Sequence, residues 1–281
     1  MKASLWTRSE RSRDMLLLGV CLVVIWEAAV RIIGIRVFLL PAPSKILGDF
    51  VHSLGYFLHE TAFTVLTTMS GFLIALVLGV ASAIGIVYSR FLDRTLYTLL
   101  VALNAVPKVA LAPLFVIWLG TESAPKVAIA MLIAIFPILI DTVHGLKSID
   151  PEMVNMAKAN QATAIRLLLK IRLPNALPSI FSGMKVGISL ALVGAIVGEF
   201  VAGSTGLGHV ILVAQGNFDT TRVFVALVLL GILGTLLFNL IEWIERWALP
   251  WHASQRGKHA SAEIIKLPRA VHLAATDRAS R

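Results

Sequence analysis

The sequence predicts an all-α, polytopic membrane protein with six transmembrane helices and a helical hairpin in one cytoplasmic loop. The first observation is composition: the 281 residues are 57% hydrophobic and 15% charged, with a mean hydropathy of +0.84. Soluble domains are about a quarter charged. The second is that the apolar residues form runs long enough to cross a bilayer. The third is that the basic residues lie mostly between those runs or at the chain ends, as in cytoplasmic loops.

Six apolar runs are candidate membrane helices, because a spanning helix needs roughly 20 apolar residues. They cover residues 15–35, 61–88, 95–119, 124–146, 176–202 and 222–248. Pro107 and Pro113 lie inside the third run, so we expect that helix to be broken or kinked there. The first run follows a basic start but is longer than the core of a signal peptide, which favours a membrane helix.

The distribution of Lys and Arg predicts that both termini are cytoplasmic. With six spans and a cytoplasmic N-terminus, 19 of the 25 basic residues fall on the cytoplasmic side, as the positive-inside rule requires. Five or seven spans would distribute them less well. The predicted organisation is a cytoplasmic segment 1–14, a transmembrane domain 15–250 with a loop at about 150–172, and a cytoplasmic tail 251–281. We expect this tail to be disordered, since it lacks a helical apolar stripe.

A basic segment interrupts the apolar sequence between the fourth and fifth spans. Its pattern predicts two short helices with a bend at Asn160-Gln161, because Asn tolerates the left-handed conformation that ends a helix. Each helix has an apolar face, formed by Met153, Met156 and Ala157 in the first and by Ile165, Leu168 and Leu169 in the second. Such a hairpin favours a protein partner. A helix lying flat on anionic lipid is the alternative.

The same loop has a recognisable spacing. Counting back from Leu173-Pro174 gives Ile171, then Gln161 ten residues earlier, then Asn155-Met156-Ala157. With this spacing the loop resembles that of permease subunits of ATP-binding-cassette (ABC) importers, which carry Glu-Ala-Ala, three residues, Gly, nine residues and Ile-x-Leu-Pro. The second Ala and the Ile-x-Leu-Pro end are kept, whereas the Glu, the first Ala and the Gly are replaced.

Further segments resemble one branch of that family, the permeases for nitrate, sulfonates, taurine and thiamine precursors. They are "LPAPSKIL" (40–47), "AVPKVALAPLFVIWLG" (105–120), "FPILIDTVHGLKSID" (136–150), "LPNALPSIFSGMKVGISLALVGAIVGEF" (173–200) and "GSTGLGHVI" (203–211). They occur in the expected order and extend the resemblance over residues 15 to 250.

The resemblance implies a permease homodimer in a bacterial inner membrane, bound to two ATPase subunits inside and to a substrate-binding protein outside. The residues that it assigns to the contact with the ATPase are Met153, Asn155, Met156, Ala157, Gln161, Ile165, Ile171, Leu173 and Pro174. We expect no cofactor, no metal and no nucleic acid. The sequence has no phosphate-binding loop and no catalytic motif, so the chain is predicted not to be an enzyme.

Lys108 and Glu199 are candidates to line the solute pathway, because a charge inside the membrane is costly and usually functional. Lys108 follows Pro107, where a broken helix can border a cavity, and its ammonium would suit a small anion such as nitrate, a sulfonate or taurine. Glu199 lies near the end of the fifth run. The alternatives are a structural role for Lys108 and a hydrogen bond to a nearby backbone amide for Glu199. Glu27, late in the first run, either shares this role or simply reaches outer water.

Two other functions remain open from the sequence. A secondary transporter or channel would work without an ATPase partner, but such chains usually show inverted repeats and charges in both halves, and we find no such symmetry. A membrane scaffold without a transport cycle is the other. Co-purification of an ATPase with the chain distinguishes the importer from both.

Overall fold

The structure, a computed structural model, describes residues 2–97, 102 and 106–250, and their regular structure is entirely helical. The principal helices are α1 (Lys2–Ile33), α2 (Pro43–His52), α3 (Leu54–Tyr88), α4 (Ala112–Leu119), α5 (Ser123–Lys147), α6 (Pro151–Ala159), α7 (Ala164–Leu167), α8 (Leu173–Ala202), α9 (Leu207–Gly216) and α10 (Thr220–Ala248). Short helical turns cover Arg90–Leu92, Asp93–Tyr97, Lys108–Leu111 and Leu168–Arg172. The predicted all-α class is confirmed.

The chain divides into two compact units, residues 25–245 and residues 1–24 with 246–281. The larger unit contains α2 to α9 and the adjoining parts of α1 and α10. Among the described residues, the smaller unit contains the beginning of α1 and the end of α10. The predicted boundaries at residues 14 and 250 remain predictions, and the predicted tail 251–281 lies outside the described residues.

Within the described part of the chain, four helical segments are long and apolar enough to cross a membrane. They are Leu54–Tyr88, Ser123–Lys147, Ala164–Ala202 and Thr220–Ala248, which match the second, fourth, fifth and sixth predicted runs. The count of six spans therefore remains a prediction. The segment Ala164–Ala202 begins earlier than the fifth predicted run, because α7, the turn at Leu168–Arg172 and α8 follow one another without a break.

The break predicted in the third run is present at Pro107. Val106 and Pro107 lie outside any helix, and a 3₁₀ turn from Lys108 then leads into α4. Pro113 lies in the first turn of α4, where the missing N–H of proline costs nothing. The remainder of this run, residues 98–101 and 103–105, lies outside the described residues.

Helices α5 and α8 pack backbone to backbone at the centre of the larger unit. A Cβ added at Gly194 would lie 2.7 Å from the Cα of Ala130, and one at Gly198 would lie 2.7 Å from the Cα of Lys126. No side chain fits at these distances, so the glycines permit the close contact typical of membrane helices. At the other end of the pair, Gly145 of α5 faces the start of α8, so the two helices are antiparallel.

These contacts define two ends of the bundle formed by α3, α5 and α8. We call the end that carries α6 and α7 the hairpin end. The opposite end, where α3 and α5 begin and α8 ends, is the far end. An α-helix rises about 1.5 Å per residue, so the 30 residues of α8 separate the two ends by about 45 Å.

Candidate functional site

The hairpin at residues 150–172 has its bend within the predicted pair Asn160-Gln161. Helix α6 begins after Asp150, whose carboxylate accepts a hydrogen bond from the N–H of Glu152 at 2.8 Å. It ends where Gln161 adopts the left-handed conformation, with φ of 55°, and the N–H of Ala162 bonds to the carbonyl of Ala157 at 3.0 Å. This is the glycine-type helix ending. The prediction that Asn160 provides the left-handed residue was wrong, because Gln161 does.

The hairpin exposes an apolar surface to its surroundings. Its members are Met153 (53% exposed), Met156 (68%), Ile165 (69%) and Leu169 (57%), which we call the hairpin surface. On α7 the side chain that packs into the bundle is Leu167, which is 6% exposed. Among the other predicted contact residues, Asn155 and Gln161 are exposed, whereas Ala157, Ile171, Leu173 and Pro174 are half-buried.

Side-chain contacts tie the hairpin to the ends of the long helices. The hydroxyl of Tyr88, the last residue of α3, donates a hydrogen bond to the carbonyl of Ala164 at 3.0 Å. The guanidinium of Arg172 lies 5.6 Å from the ring centroid of the same tyrosine. Nearby, Lys147 at the end of α5 pairs with Asp93 at 2.6 Å. The hairpin is therefore fixed to α3 directly and to α8 through the continuous chain.

Lys108 lies over an aromatic ring of α5. Its Nζ is 4.5 Å from the ring centroid of Phe136, a geometry in which the ring face attracts the ammonium. The lysine is half-buried and Phe136 is 5% exposed. The ammonium thus packs against the bundle, which is compatible with both the pathway role and the structural alternative.

Glu199 is fully buried at the end of α8. Its carboxylate accepts hydrogen bonds from the N–H of Gly208 at 2.7 Å and from the hydroxyl of Thr64 at 2.9 Å. The backbone bond matches the structural alternative named for this residue, and its pathway role remains a prediction. The structure does not bring Glu199 and Lys108 together. Their neighbours on α5, Lys126 and Phe136, are ten residues apart, or about 15 Å along the helix.

Two further side chains, which the sequence analysis did not single out, bind the same loop. The N–H of Gly206 donates to the carboxylate of Glu60 at 2.5 Å, and the N–H of Leu207 donates to the hydroxyl of Thr64 at 2.8 Å. Glu60 is 7% exposed and Thr64 is fully buried. The available signal was the spacing of these two residues, four apart on one face of an otherwise apolar helix.

Lys126 completes this group. Its Nζ lies 3.3 Å from the hydroxyl and 3.5 Å from the carbonyl of Thr205, and the residue is 3% exposed. We call Glu60, Thr64, Lys126 and Glu199, with the loop from Thr205 to Gly208, the far-end cluster. It joins α3, α5 and α8 to the beginning of α9.

Glu27, the third ionisable residue noted in the apolar runs, has local partners. Its carboxylate accepts hydrogen bonds from the N–H of Ser44 at 3.0 Å and from the hydroxyl of Ser44 at 2.8 Å, and it pairs with Arg31 at 2.6 Å. Ser44 is in the first turn of α2. Glu27 therefore caps that helix, where free N–H groups favour a negative charge.

Comparison with known proteins identifies the family. Residues 75–249 match the family described as binding-protein-dependent transport system inner membrane component. The riboflavin transport system permease protein RibX of Chloroflexus aurantiacus is 39% identical, over 83% of this chain and 88% of its own length. The formylaminopyrimidine transport permease protein ThiX of Halalkalibacterium halodurans is 34% identical, over 88% of this chain and 99% of its own length.

The sulfonate branch and a solved transporter are also similar. The putative aliphatic sulfonates transport permease protein SsuC of Escherichia coli is 30% identical, over 87% of this chain and 94% of its own length. The fold matches a chain of the MetNI methionine ABC transporter in an inward-facing conformation, with a TM-score of 0.61 and 19% identity, over 69% of this chain and 96% of that one.

The chain belongs to the family of inner membrane components of binding-protein-dependent transport systems. This confirms the resemblance to ABC-importer permeases and the location in an inner membrane with several spans. The chain is a transport component and not an enzyme, since ATP hydrolysis in this family belongs to a separate subunit. Its partners include that ATPase and a substrate-binding protein.

Proposed function

From its membership of this family, we propose that the chain forms, as a homodimer, the solute pathway of an ABC importer in a bacterial inner membrane. Two ATPase subunits bind the hairpin ends, and the substrate-binding protein docks at the far ends. Membrane lipid surrounds the exposed apolar sides of the long helices. Both termini are cytoplasmic in this arrangement, as the distribution of basic residues favours.

The observation that carries the proposal is the hairpin surface. Two methionines and two aliphatic side chains are more than half exposed on short helices that are fixed at their base to α3 and α8. A large exposed apolar patch is typical of a protein interface, and flexible methionines adapt to an apolar groove. A rigid attachment is also what transmission of movement requires, because packed elements pass displacement on rather than absorb it.

Co-purification tests the proposal. The tagged chain is expressed together with its chromosomal neighbours, extracted in mild detergent and purified, and the bound proteins are identified by mass spectrometry. We expect an ATPase subunit in a one-to-one ratio with the chain. Transport in proteoliposomes without any ATPase would instead favour a secondary transporter or channel, and assembly without transport would favour a scaffold.

For the solute, we propose a small nitrogen heterocycle of the riboflavin or pyrimidine type. The support is that the relatives at 39% and 34% identity are named for riboflavin and for formylaminopyrimidine. A small anion is the second candidate, supported by Lys108 and by the sulfonate relative at 30% identity. Calorimetric titration of the partner substrate-binding protein with riboflavin, formylaminopyrimidine, taurine and nitrate distinguishes the two classes.

A further inference from the structure

Gly206, which precedes α9, and the first two residues of α9 all have their backbone N–H groups bound by side chains of other helices. Gly206 donates to Glu60, Leu207 to Thr64 and Gly208 to Glu199. The first N–H groups of a helix have no partner within that helix. Here the partners come from α3 and α8, so the start of α9 is held from two sides.

The fit between the loop and Glu199 leaves no space for adjustment. A Cβ added at Gly206 would meet the Glu199 carboxylate, and one at Gly208 would lie 2.8 Å from the Cβ of Glu199. Thr64 links the two sides, since its hydroxyl accepts from Leu207 and donates to Glu199. Buried polar groups that are satisfied in this way hold one arrangement, because leaving one unpaired is costly.

The helices that hold α9 are the same helices that hold the hairpin. Helix α3 begins near Glu60 and ends at Tyr88, which contacts Ala164. Helix α8 continues from the hairpin to Glu199. Helix α9, with ten residues, is about 15 Å long and cannot cross the bilayer. Helix α9 is therefore held at the far end by α3 and α8, both of which reach the hairpin at their other ends.

We propose that Glu60, Thr64 and Glu199 are positioning residues for transport. They clamp α9 to α3 and α8, so that a displacement of the hairpin moves α9 as part of the same rigid body. The proposal rests on the importer function proposed above, and it adds that the far end responds to the ATPase through α9 without an independent hinge at Gly203–Gly206.

Distance measurements between spin labels test the clamp. The natural Cys21 is replaced by Ser, and labels are placed at Leu58 on α3 and Val213 on α9, which are 54% and 45% exposed. The purified complex with its ATPase is compared nucleotide-free and trapped with ATP and vanadate, with labelled subunits diluted by unlabelled ones. We expect one narrow distance that is the same in both states. A distance that changes between the states would overturn the proposal.

A second labelling arm shows whether α9 moves at all. With Val213 labelled in both subunits of the dimer, we expect the distance between the two α9 helices to change on trapping. An unchanged distance would overturn the proposal, because α9 would then carry no displacement. Both distance measurements use a chain in which Glu60, Thr64 and Glu199 are unchanged, so both still test the proposal if a variant of these residues fails to assemble.

Variants of Thr64 test whether the Leu58–Val213 distance depends on the clamp, that is, on the hydrogen bonds of Glu60, Thr64 and Glu199 to the start of α9. Thr64→Val keeps the shape and removes the hydroxyl, and we expect a broader Leu58–Val213 distance and a loss of uptake with the ATPase still bound. Thr64→Ser should restore both. The matched control is Thr142→Val, since Thr142 is also fully buried but donates only to Ile138 of its own helix. If the Leu58–Val213 distance distribution is as narrow in Thr64→Val as in Thr142→Val, the proposal is overturned.

Failure of the importer function has a different signature. In that case no ATPase subunit would co-purify with the unmodified chain, and a trapped state would not exist. The clamp is overturned only in a complex that is complete and hydrolyses ATP.

Discussion

The backbone N–H of Gly208 donates a hydrogen bond of 2.7 Å to the carboxylate of Glu199. Through this contact the start of α9 closes onto the end of α8. Gly206, two residues earlier, has a φ of 103°, in a region that L residues rarely adopt. The segment "GSTGLG" thus combines a backbone that only glycine adopts easily with a close approach to a buried carboxylate.

We expect Gly208→Ala to destabilise the protein. The added Cβ would lie 2.8 Å from the Cβ of Glu199, and overpacking of this kind costs about 1 to 3 kcal/mol. The thermal midpoint of the purified complex should fall accordingly. Gly216→Ala at the end of the same helix is the control, because nothing lies within 4 Å of its added Cβ. Equal midpoints for the two variants would contradict the close packing at Gly208.

The apolar helices and the hairpin could be predicted from the sequence, because both depend on neighbouring residues. The length of an apolar run can be read directly from consecutive residues, and the break at Pro107 follows from the missing N–H of proline. The far-end cluster was predicted only in part, since the sequence singled out Glu199 and a hydrogen bond to a nearby backbone amide but none of its partners in α3 and α5. Glu60 meets the N–H of Gly206 across 146 positions, and no local pattern indicates which distant backbone group satisfies a buried carboxylate.

The bend of the hairpin shows the limit of residue preferences. Asn is the residue that most often tolerates the left-handed conformation apart from glycine, which is why Asn160 was expected there. The structure places Gln161 in that conformation instead. Gln161 stands where the resembling family has Gly, so the spacing of the loop was a better guide to the left-handed residue than side-chain type.

The six-span topology predicts that residue 53 is outside and residue 261 inside. In a Cys21→Ser background, Ser53→Cys should react with a membrane-impermeant maleimide in intact spheroplasts. Ser261→Cys should react only after the membrane is opened. This prediction rests on the positive-inside rule, because the six-span topology places 19 of the 25 Lys and Arg residues on the cytoplasmic side. External labelling at residue 261, or its absence at residue 53, would exclude this topology.

We expect Lys108→Met to reduce uptake about tenfold, which corresponds to about 1.4 kcal/mol, without loss of the ATPase. The ammonium lies 4.5 Å from the Phe136 ring centroid, and Lys108→Arg should retain activity because guanidinium also binds a ring face. Lys45→Met, at an exposed lysine of α2, controls for loss of charge alone. Glu199→Gln is measured in the same assay. Normal uptake by both the Lys108 and the Glu199 variants would show that neither charge serves the pathway.

We expect Gln161→Gly to stabilise the hairpin. An L residue in the left-handed conformation costs about 1 kcal/mol that glycine avoids, and Gln161 has a φ of 55°. The variant should retain the ATPase and have a slightly higher thermal midpoint. Gln161→Val should do the opposite, because a branched Cβ is least compatible with this backbone. A lower midpoint for the glycine variant would indicate that the Gln161 side chain itself contributes to the fold.

The control for the hairpin surface is available on the same helix. Asn155 is a predicted contact residue outside the hairpin surface; it lies about 100° around α6 from Met156 and is exposed. Asn155→Glu adds a negative charge at the position where the resembling permeases carry Glu. We expect this variant to keep both the ATPase and uptake, which shows that charge on α6 is tolerated away from the hairpin surface.

Met156→Asp should break the contact with the ATPase and leave membrane insertion intact. Met156 is 68% exposed in the chain alone, so the substitution disturbs nothing within the bundle. In the complex, the same position would be buried against the partner, where a carboxylate without a counter-charge costs several kcal/mol. We expect the purified variant to lack the ATPase and to show no uptake, and Ala157→Asp to behave alike. If Met156→Asp retains the ATPase and normal uptake while Asn155→Glu does as well, the hairpin surface is not where the ATPase binds.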